Sequence, residues 1–114
     1  MKVPLNILLY AKEAARKSVG RFRLGAVIFK KNAIISSGYN KPGKTSPKSP
    51  APFKSLHAEF DAIVGNSRDS IRGASIYVHR LKRNGNPGLA KPCQYCAGML
   101  LGLGIKKILY SENG

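Results

Sequence analysis

The apolar residues of this chain recur with two spacings, one typical of amphipathic helices and one typical of buried strands. Residues Leu5–Val19 have the helical spacing, and Gly20 is expected to end that helix. Two runs rich in Val and Ile, Leu24–Phe29 and Ala33–Ser37, follow it and are separated by three polar residues. They predict two antiparallel strands joined by a tight turn.

The second half of the chain alternates between the two patterns. The predicted elements are a helix over Leu56–Gly65, a strand over Ala74–His79, a helix over Pro92–Leu103 and a strand over Lys106–Tyr110. Pro92 suits the first position of its helix, and Gly104 suits the position just after its end. A strand–helix–strand crossover implies that the last two strands pair in parallel. The order α-β-β-α-β-α-β therefore predicts an α/β fold, a single domain over residues 1–114 with one mixed sheet sandwiched by helices.

Two segments of the chain are predicted to be loops. Gly38–Phe53 is rich in Pro, Lys and Ser, and Arg80–Lys91 is basic and rich in Gly. Each loop comes shortly before one of the two later helices. We therefore expect both loops to lie at the mouth of any pocket formed where those helices begin.

The charge of the chain is strongly positive, with 20 Lys and Arg against 5 Asp and Glu and a formal net charge of +15. Such a field attracts nucleotides or nucleic acid, although a merely basic surface is the alternative interpretation. No apolar run approaches the roughly 20 residues that a membrane span needs. No signal-peptide cleavage pattern follows the short apolar stretch Leu5–Ala11. We predict an intracellular protein of the cytoplasm, with no membrane partner.

Two short motifs at the starts of the later helices hold the candidate chemistry, His57-Ala58-Glu59 and Pro92-Cys93-Gln94-Tyr95-Cys96. Cys93 and Cys96 are three residues apart, so their sulfurs share one helix face, and a first helical turn favours thiolate. With His57 as a third ligand, this donor set suits zinc with an open fourth position. A carboxylate such as Glu59 beside that position could move a proton from water.

These motifs, His-x-Glu and Pro-Cys-x-x-Cys, resemble those of the zinc-dependent cytidine and deoxycytidylate deaminase superfamily, especially its small phage and viral dCMP-type members. The resemblance covers roughly residues 5–111, and for a phage or viral member the cytoplasm would be that of the host. It implies a cytidine-deaminase-like fold truncated after the fourth strand, and a CMP/dCMP-type deaminase domain that holds Zn2+ through His57, Cys93 and Cys96. It also implies that activated water attacks the amine-bearing ring carbon, while Glu59 protonates the adjacent ring nitrogen and then the leaving ammonia.

The same resemblance implies substrate-binding positions. Asn40 ends the second strand and would touch the sugar, although Asn after a strand is also a common turn former. The other candidates are Ala26, Val27, Ala58 and Pro92, and Tyr110 is added as an aromatic residue that could stack on a base, with packing as the alternative. We expect a phosphate-bearing cytosine substrate, with dCMP or CMP ahead of cytosine in a DNA or RNA polymer and tRNA adenosine third.

A non-enzymatic alternative uses His79 as a fourth ligand, which would give a closed structural zinc site in a basic nucleic-acid-binding module. The pattern instead favours His79 as a solvated or sheet-edge residue. Phe53 is a candidate for stacking on a base. Because the last strand would leave an exposed sheet edge, a homo-oligomer that covers this edge is also expected.

Overall fold

The structure is a computed structural model that describes residues 3–18, 22–42, 55–64 and 66–113. Its elements are α1 (Leu5–Arg16), β1 (Arg23–Lys30), β2 (Ala33–Tyr39), β3 (Lys41–Pro42), β4 (Ser55–Leu56), α2 (Ala58–Ile63), α3 (Arg68–Ile71), β5 (Ser75–Leu81), β6 (Pro87–Gly88), α4 (Gln94–Gly102) and β7 (Lys107–Tyr110). The predicted order of the seven main elements is confirmed. The four short elements β3, β4, α3 and β6 are additions that the sequence pattern does not predict. Gly20, Phe53 and most of the first predicted loop lie outside the described residues.

The main sheet is mixed and runs in the order β2-β1-β5-β6, with β7 also paired to β5. β1 is antiparallel to both β2 and β5, whereas β5 and β7 are parallel from Ser75 beside Lys107 to Val78 beside Tyr110. The predicted parallel pairing and the α/β fold class with a single mixed sheet are therefore confirmed. The expected homo-oligomer stays a prediction.

Helices cover both faces of the sheet. On one face α1 packs through Ile7 and Ala11 onto Val27, Phe29 and Tyr77. The larger core lies on the other face, beneath α2 and α4.

Gly38 controls the spacing on the α2 face, because a Cβ there would lie 2.5 Å from the backbone nitrogen of Ala62. This close approach fixes α2, and so the motif at its start, directly against β2.

Several helix boundaries differ from the predicted ones, and α2, for example, ends at Ile63 instead of Gly65. α1 ends at Arg16 instead of Val19. Just after Arg16, the Lys17 N–H donates a hydrogen bond to the Ala14 carbonyl at 3.1 Å, which closes the last turn. Leu56 belongs to β4, where it pairs with Lys41, and α2 begins only at Ala58.

A further difference concerns α4, which begins at Gln94 because Cys93 has extended backbone angles and acts as its N-cap. Pro92 therefore precedes the cap and is not the first helical residue. No helix within the described ranges is long and apolar enough to cross a membrane.

Candidate active site

The starts of α2 and α4 face each other and bring three donor residues together. His57 is the N-cap of α2, Cys93 is the N-cap of α4, and Cys96 lies in the first turn of α4. Their ligand atoms all lie within 4.8 Å of one another, and Cys96 Sγ is 3.4 Å from His57 Nδ1. Tetrahedral zinc, with bonds of about 2.3 Å to sulfur and about 2.1 Å to nitrogen, places its ligand atoms roughly 3.5–3.8 Å apart. The three residues fit such an ion with small side-chain adjustments.

The electrostatics of these donors also fit a cation. Burial raises the pKa of the Cys96 thiol, and the nearby charges of Glu59 and Cys93 raise it further. Burial also lowers the pKa of His57, which keeps the imidazole in the neutral form that metals bind. Burial therefore opposes, in the metal-free protein, the thiolate form that the helix start is expected to favour at Cys96. A divalent ion would reverse this preference, since it stabilises the thiolate directly.

Glu59 lies in the first turn of α2 and is only 6% exposed. It lines a cavity of about 370 Å³ together with His57 and Cys93, yet it is not a member of the three-residue donor group. Burial raises the pKa of its carboxyl, and a hydrogen bond to backbone partly offsets this effect. The geometry thus places a buried proton carrier beside the donors without using it as a ligand.

Two predicted substrate-binding residues, Asn40 and Ala58, line this cavity. The Asn40 side chain also has a structural task. Its Oδ1 accepts a hydrogen bond from the Leu24 N–H at 2.9 Å, and its Nδ2 donates to the Phe22 carbonyl at 2.6 Å. Since Phe22 and Leu24 line the cavity too, Asn40 shapes the wall as well as forming part of it.

The other four candidates lie away from the cavity wall. Val27 faces α1 on the opposite side of the sheet, and Ala26 is buried in the core beneath α2. Tyr110 is half-buried against that same core. Pro92 stands between Lys91 and Cys93, which both line the cavity. Their proposed contacts with substrate stay predictions.

The structure adds wall residues that the motifs did not reveal, namely Phe22, Leu24, Arg80, Leu89, Ala90 and Lys91. Four of these fall within Arg80–Lys91, the loop predicted at the pocket mouth. That placement is correct, although the segment is not all loop, because Arg80 and Leu81 complete β5. Phe22 had no sequence signal, since its role depends on the folding of β1 against β5.

His79 occupies a different place from the one expected. It is 4% exposed on the central strand β5, directly opposite Gly25, whose missing side chain lets α1 approach. Its Nδ1 is 2.9 Å from the Tyr77 hydroxyl, and its Nε2 has no hydrogen-bond partner among the described residues. The expectation of a solvated or sheet-edge residue is wrong because β5 runs on past His79 to Leu81. The closed four-ligand zinc site is also wrong, because His79 faces α1 and is absent from the donor group.

The burial of His79 predicts acid sensitivity. Burial and the positive charge of Lys12 lower the pKa of His79 below its ordinary 6.5, so the unfolded chain takes up a proton first as the pH falls. The free energy of unfolding should be fully retained above pH 6.5 and should fall below it, by up to about 1.4 kcal/mol per pH unit from this residue. Urea unfolding at pH 7.5 and 5.5 should show a smaller loss for His79→Gln than for the original chain. Equal losses in the two proteins would contradict this explanation.

Comparison with known proteins decides the family. A family model described as the cytidine and deoxycytidylate deaminase zinc-binding region matches residues 2–112. The chain belongs to this family. Members of this deaminase family are hydrolytic enzymes, so the predicted enzyme class and the zinc cofactor are confirmed at the level of the family, and His57, Cys93 and Cys96 form the group that could hold the ion.

The relatives of this chain include a phage enzyme. It is 25% identical over 120 residues to the deoxycytidylate deaminase of Mycobacterium phage D29, which covers 88% of this chain and 86% of the relative. It is 32% identical over 98 residues to an uncharacterized deaminase in the luxG 3′ region of Aliivibrio fischeri, which covers 80% of this chain and 59% of that protein.

Solved structures show the same fold. The dCMP deaminase of cyanophage S-TIM5 in apo form has a TM-score of 0.70 and 25% identity, and the match covers 98% of this chain and 86% of that one. The complex of that enzyme with dCMP and dUMP has a TM-score of 0.61 and 23% identity over 96% of this chain and 83% of that one.

Proposed function

We propose that this protein is a zinc-dependent deaminase that hydrolyses cytosine to uracil and ammonia in a phosphate-bearing substrate, with dCMP or CMP as the first candidates. The observation that carries the proposal is the meeting of His57, Cys93 and Cys96 beside a buried Glu59 on one cavity. A volume of about 370 Å³ lies within the usual range for small-ligand sites. The phage relatives named as deoxycytidylate deaminases support the choice of substrate.

In this proposal one imidazole nitrogen and two sulfurs hold the zinc ion. The bound ion supplies the Lewis acidity that makes water reactive at neutral pH. The structure pre-positions the donors, because both His57 and Cys93 are fixed where a helix begins. The Cys96 N–H also donates a hydrogen bond to Cys93 Sγ at 3.4 Å, which orients that sulfur.

Glu59 moves the protons in this scheme. It takes a proton from the attacking water and gives it to the ring nitrogen beside the amine-bearing carbon. It then passes the second proton to the departing amine, which leaves as ammonia. Its position suits this task, because it lines the cavity without belonging to the donor group, and its burial keeps bulk water from exchanging these protons.

The cavity wall offers positive charge for a phosphate. Arg80 and Lys91 both line it, and neither forms an ion pair with another residue that the structure describes. All five acidic residues of the chain lie in the described ranges, where the ion pairs are Arg16 with Glu13 and Lys41 with Asp61. The side chains of Arg80 and Lys91 therefore keep uncompensated charge for an anionic substrate.

The test is a substrate panel with the zinc-loaded protein. We expect uracil from dCMP or CMP, with kcat/KM at least about tenfold higher than for deoxycytidine, because hydrogen bonds to a charged group contribute about 1.5–3 kcal/mol. Single-stranded DNA and tRNA complete the panel, with inosine measured for the latter. Absence of uracil from every cytosine substrate would overturn the proposal, and equal rates for dCMP and deoxycytidine would remove its phosphate requirement.

A further inference from the structure

A second cavity of about 410 Å³ adjoins the candidate active site. It is lined by Phe22, Arg80, Leu81, Lys82 and Arg83, and it shares Phe22 and Arg80 with the first cavity. The Arg80 guanidinium carbon lies 4.8 Å from the centre of the Phe22 ring. This stacked pair therefore forms the boundary between the two cavities.

Arg80 is held at this boundary by its neighbours across the sheet. It pairs with Leu24 of β1 on one side and with Gly88 of β6 on the other. A Cβ on Gly88 would lie 2.9 Å from Arg80 Cδ, so the arginine stem lies flat over the space that a side chain would fill. The Arg80 N–H also donates to Ser111 Oγ at 2.9 Å, and Ser111 Oγ donates to the Gly88 carbonyl at 2.7 Å.

The turn that carries Lys82 and Arg83 is fixed by hydrogen bonds. The Lys82 N–H donates to the Asn86 carbonyl at 2.9 Å, and the Lys82 carbonyl accepts from the Gly85 N–H at 3.0 Å. Arg23 Nη2 donates to that same carbonyl at 3.0 Å. The two cations therefore project from a backbone that is already ordered, which lowers the entropic cost of binding a ligand there.

The chemistry of this second cavity suits a nucleotide unit. Arg80, Lys82 and Arg83 give it three cations, and none of them is ion-paired with any of the five acidic residues. Phe22 is half exposed, and an exposed aromatic ring next to cations is the combination that binds single strands through base stacking and phosphate contacts. A polyphosphate tail would need the cations alone, whereas this wall also offers the apolar surfaces of Phe22 and Leu81.

We propose that the second cavity is a subsite for the nucleotide adjoining the target cytosine in a single strand. The inference rests on the proposed function, because it places the cytosine itself in the first cavity, and it goes beyond that function by ranking a single strand ahead of dCMP and CMP. The linking phosphate would lie near Arg80, where the cavities meet. The next phosphate would lie near Lys82 and Arg83. The base of the adjoining nucleotide would stack on the exposed part of the Phe22 ring.

The test compares substrates that differ only in the neighbouring nucleotides. kcat/KM is measured for dCMP, for dCTP and for a single-stranded DNA trinucleotide whose central base is cytosine. We expect the trinucleotide to exceed dCMP by roughly tenfold, because each phosphate contact and each stacked base adds affinity. In the double variant Lys82→Ala/Arg83→Ala the ratio of trinucleotide to dCMP should fall about tenfold, with a shallower salt dependence.

A matched pair of lysines provides the control. Lys106 and Lys107 are exposed at the opposite end of β5, so Lys106→Ala/Lys107→Ala removes the same charge without touching either cavity. This control should leave the ratio unchanged. If the double variant does not fold, Arg83→Ala alone answers the question, because that side chain is exposed.

Three outcomes would overturn the subsite. They are a ratio near one for the original chain, an equal fall of the ratio in the control pair, or a gain with dCTP and none with the trinucleotide. Turnover of dCMP without a trinucleotide advantage would remove this inference alone. Absence of turnover on every cytosine substrate would remove the proposed function, and this inference with it.

Discussion

Replacing Glu59 with glutamine should lower kcat/KM on the best cytosine substrate by about 10³-fold and leave one zinc ion per chain. General acid–base groups typically contribute 10²–10⁴-fold, and an amide cannot carry the protons that the reaction must move. Glutamine keeps the shape of the buried side chain, so the surrounding core should not collapse. Because Glu59 is outside the donor group, the metal content should not depend on it.

The control for this variant lies on the same helix. Asp61→Asn also removes one carboxylate from α2, where Asp61 accepts the Tyr39 N–H at 3.1 Å and pairs with Lys41. That change should lower stability and leave most of the turnover. Steady-state rates and metal analysis on both variants show whether Glu59 is needed for turnover and not for zinc binding. Substantial turnover by Glu59→Gln would remove Glu59 from the mechanism.

Replacing Cys96 with serine should weaken zinc binding by about 100-fold or more and abolish turnover with it. Cys96 is fully buried, and its sulfur lies 3.4 Å from His57 Nδ1. The negative charge of Glu59 also acts on this sulfur and raises the pKa of the thiol. Serine keeps the size of the side chain but exchanges a soft thiolate for a weakly acidic hydroxyl, which zinc binds poorly. A ligand that binds only the folded state stabilises it, so the zinc-dependent rise in Tm should also disappear.

Ala97→Ser is the matched control, because it adds the same hydroxyl one residue further along α4. Chelator titration and thermal unfolding with and without zinc compare the two variants. Ala97→Ser should behave like the original chain. Zinc affinity in Cys96→Ser equal to that of the original chain would show that the ion, if bound, is held elsewhere.

The elements that hold the donors could be predicted because their signals are local. Val- and Ile-rich runs identified the strands, and the spacing of Cys93 and Cys96 indicated that both sulfurs share one face. The start of α4 could not be placed to the residue, because Pro92 suits a first helical position as well as the position before a cap. In the structure, the extended backbone of Cys93 and the hydrogen bond to its sulfur place the N-cap at Cys93 and Pro92 before it.

The features that escaped prediction depend on pairing between distant strands. β5 is buried on both faces, so its sequence shows no alternation that would reveal which side His79 faces. From the sequence alone, Arg80 is an ordinary basic residue of a predicted loop. Its role depends on the pairing with Gly88 of β6 and on the contact with the Phe22 ring, which lies just before β1. No local pattern in the chain encodes that meeting.

The position of His57 has one more consequence. It is the N-cap of α2, yet its side chain makes no capping hydrogen bond, and α2 has only six residues. A helix this short does not persist by itself in water, and its order must come from attachments outside it. If zinc is one of those attachments, the binding of zinc both activates the enzyme and completes the folding of α2. Removing zinc would then expose this end of α2 to proteolysis as well as stop the reaction.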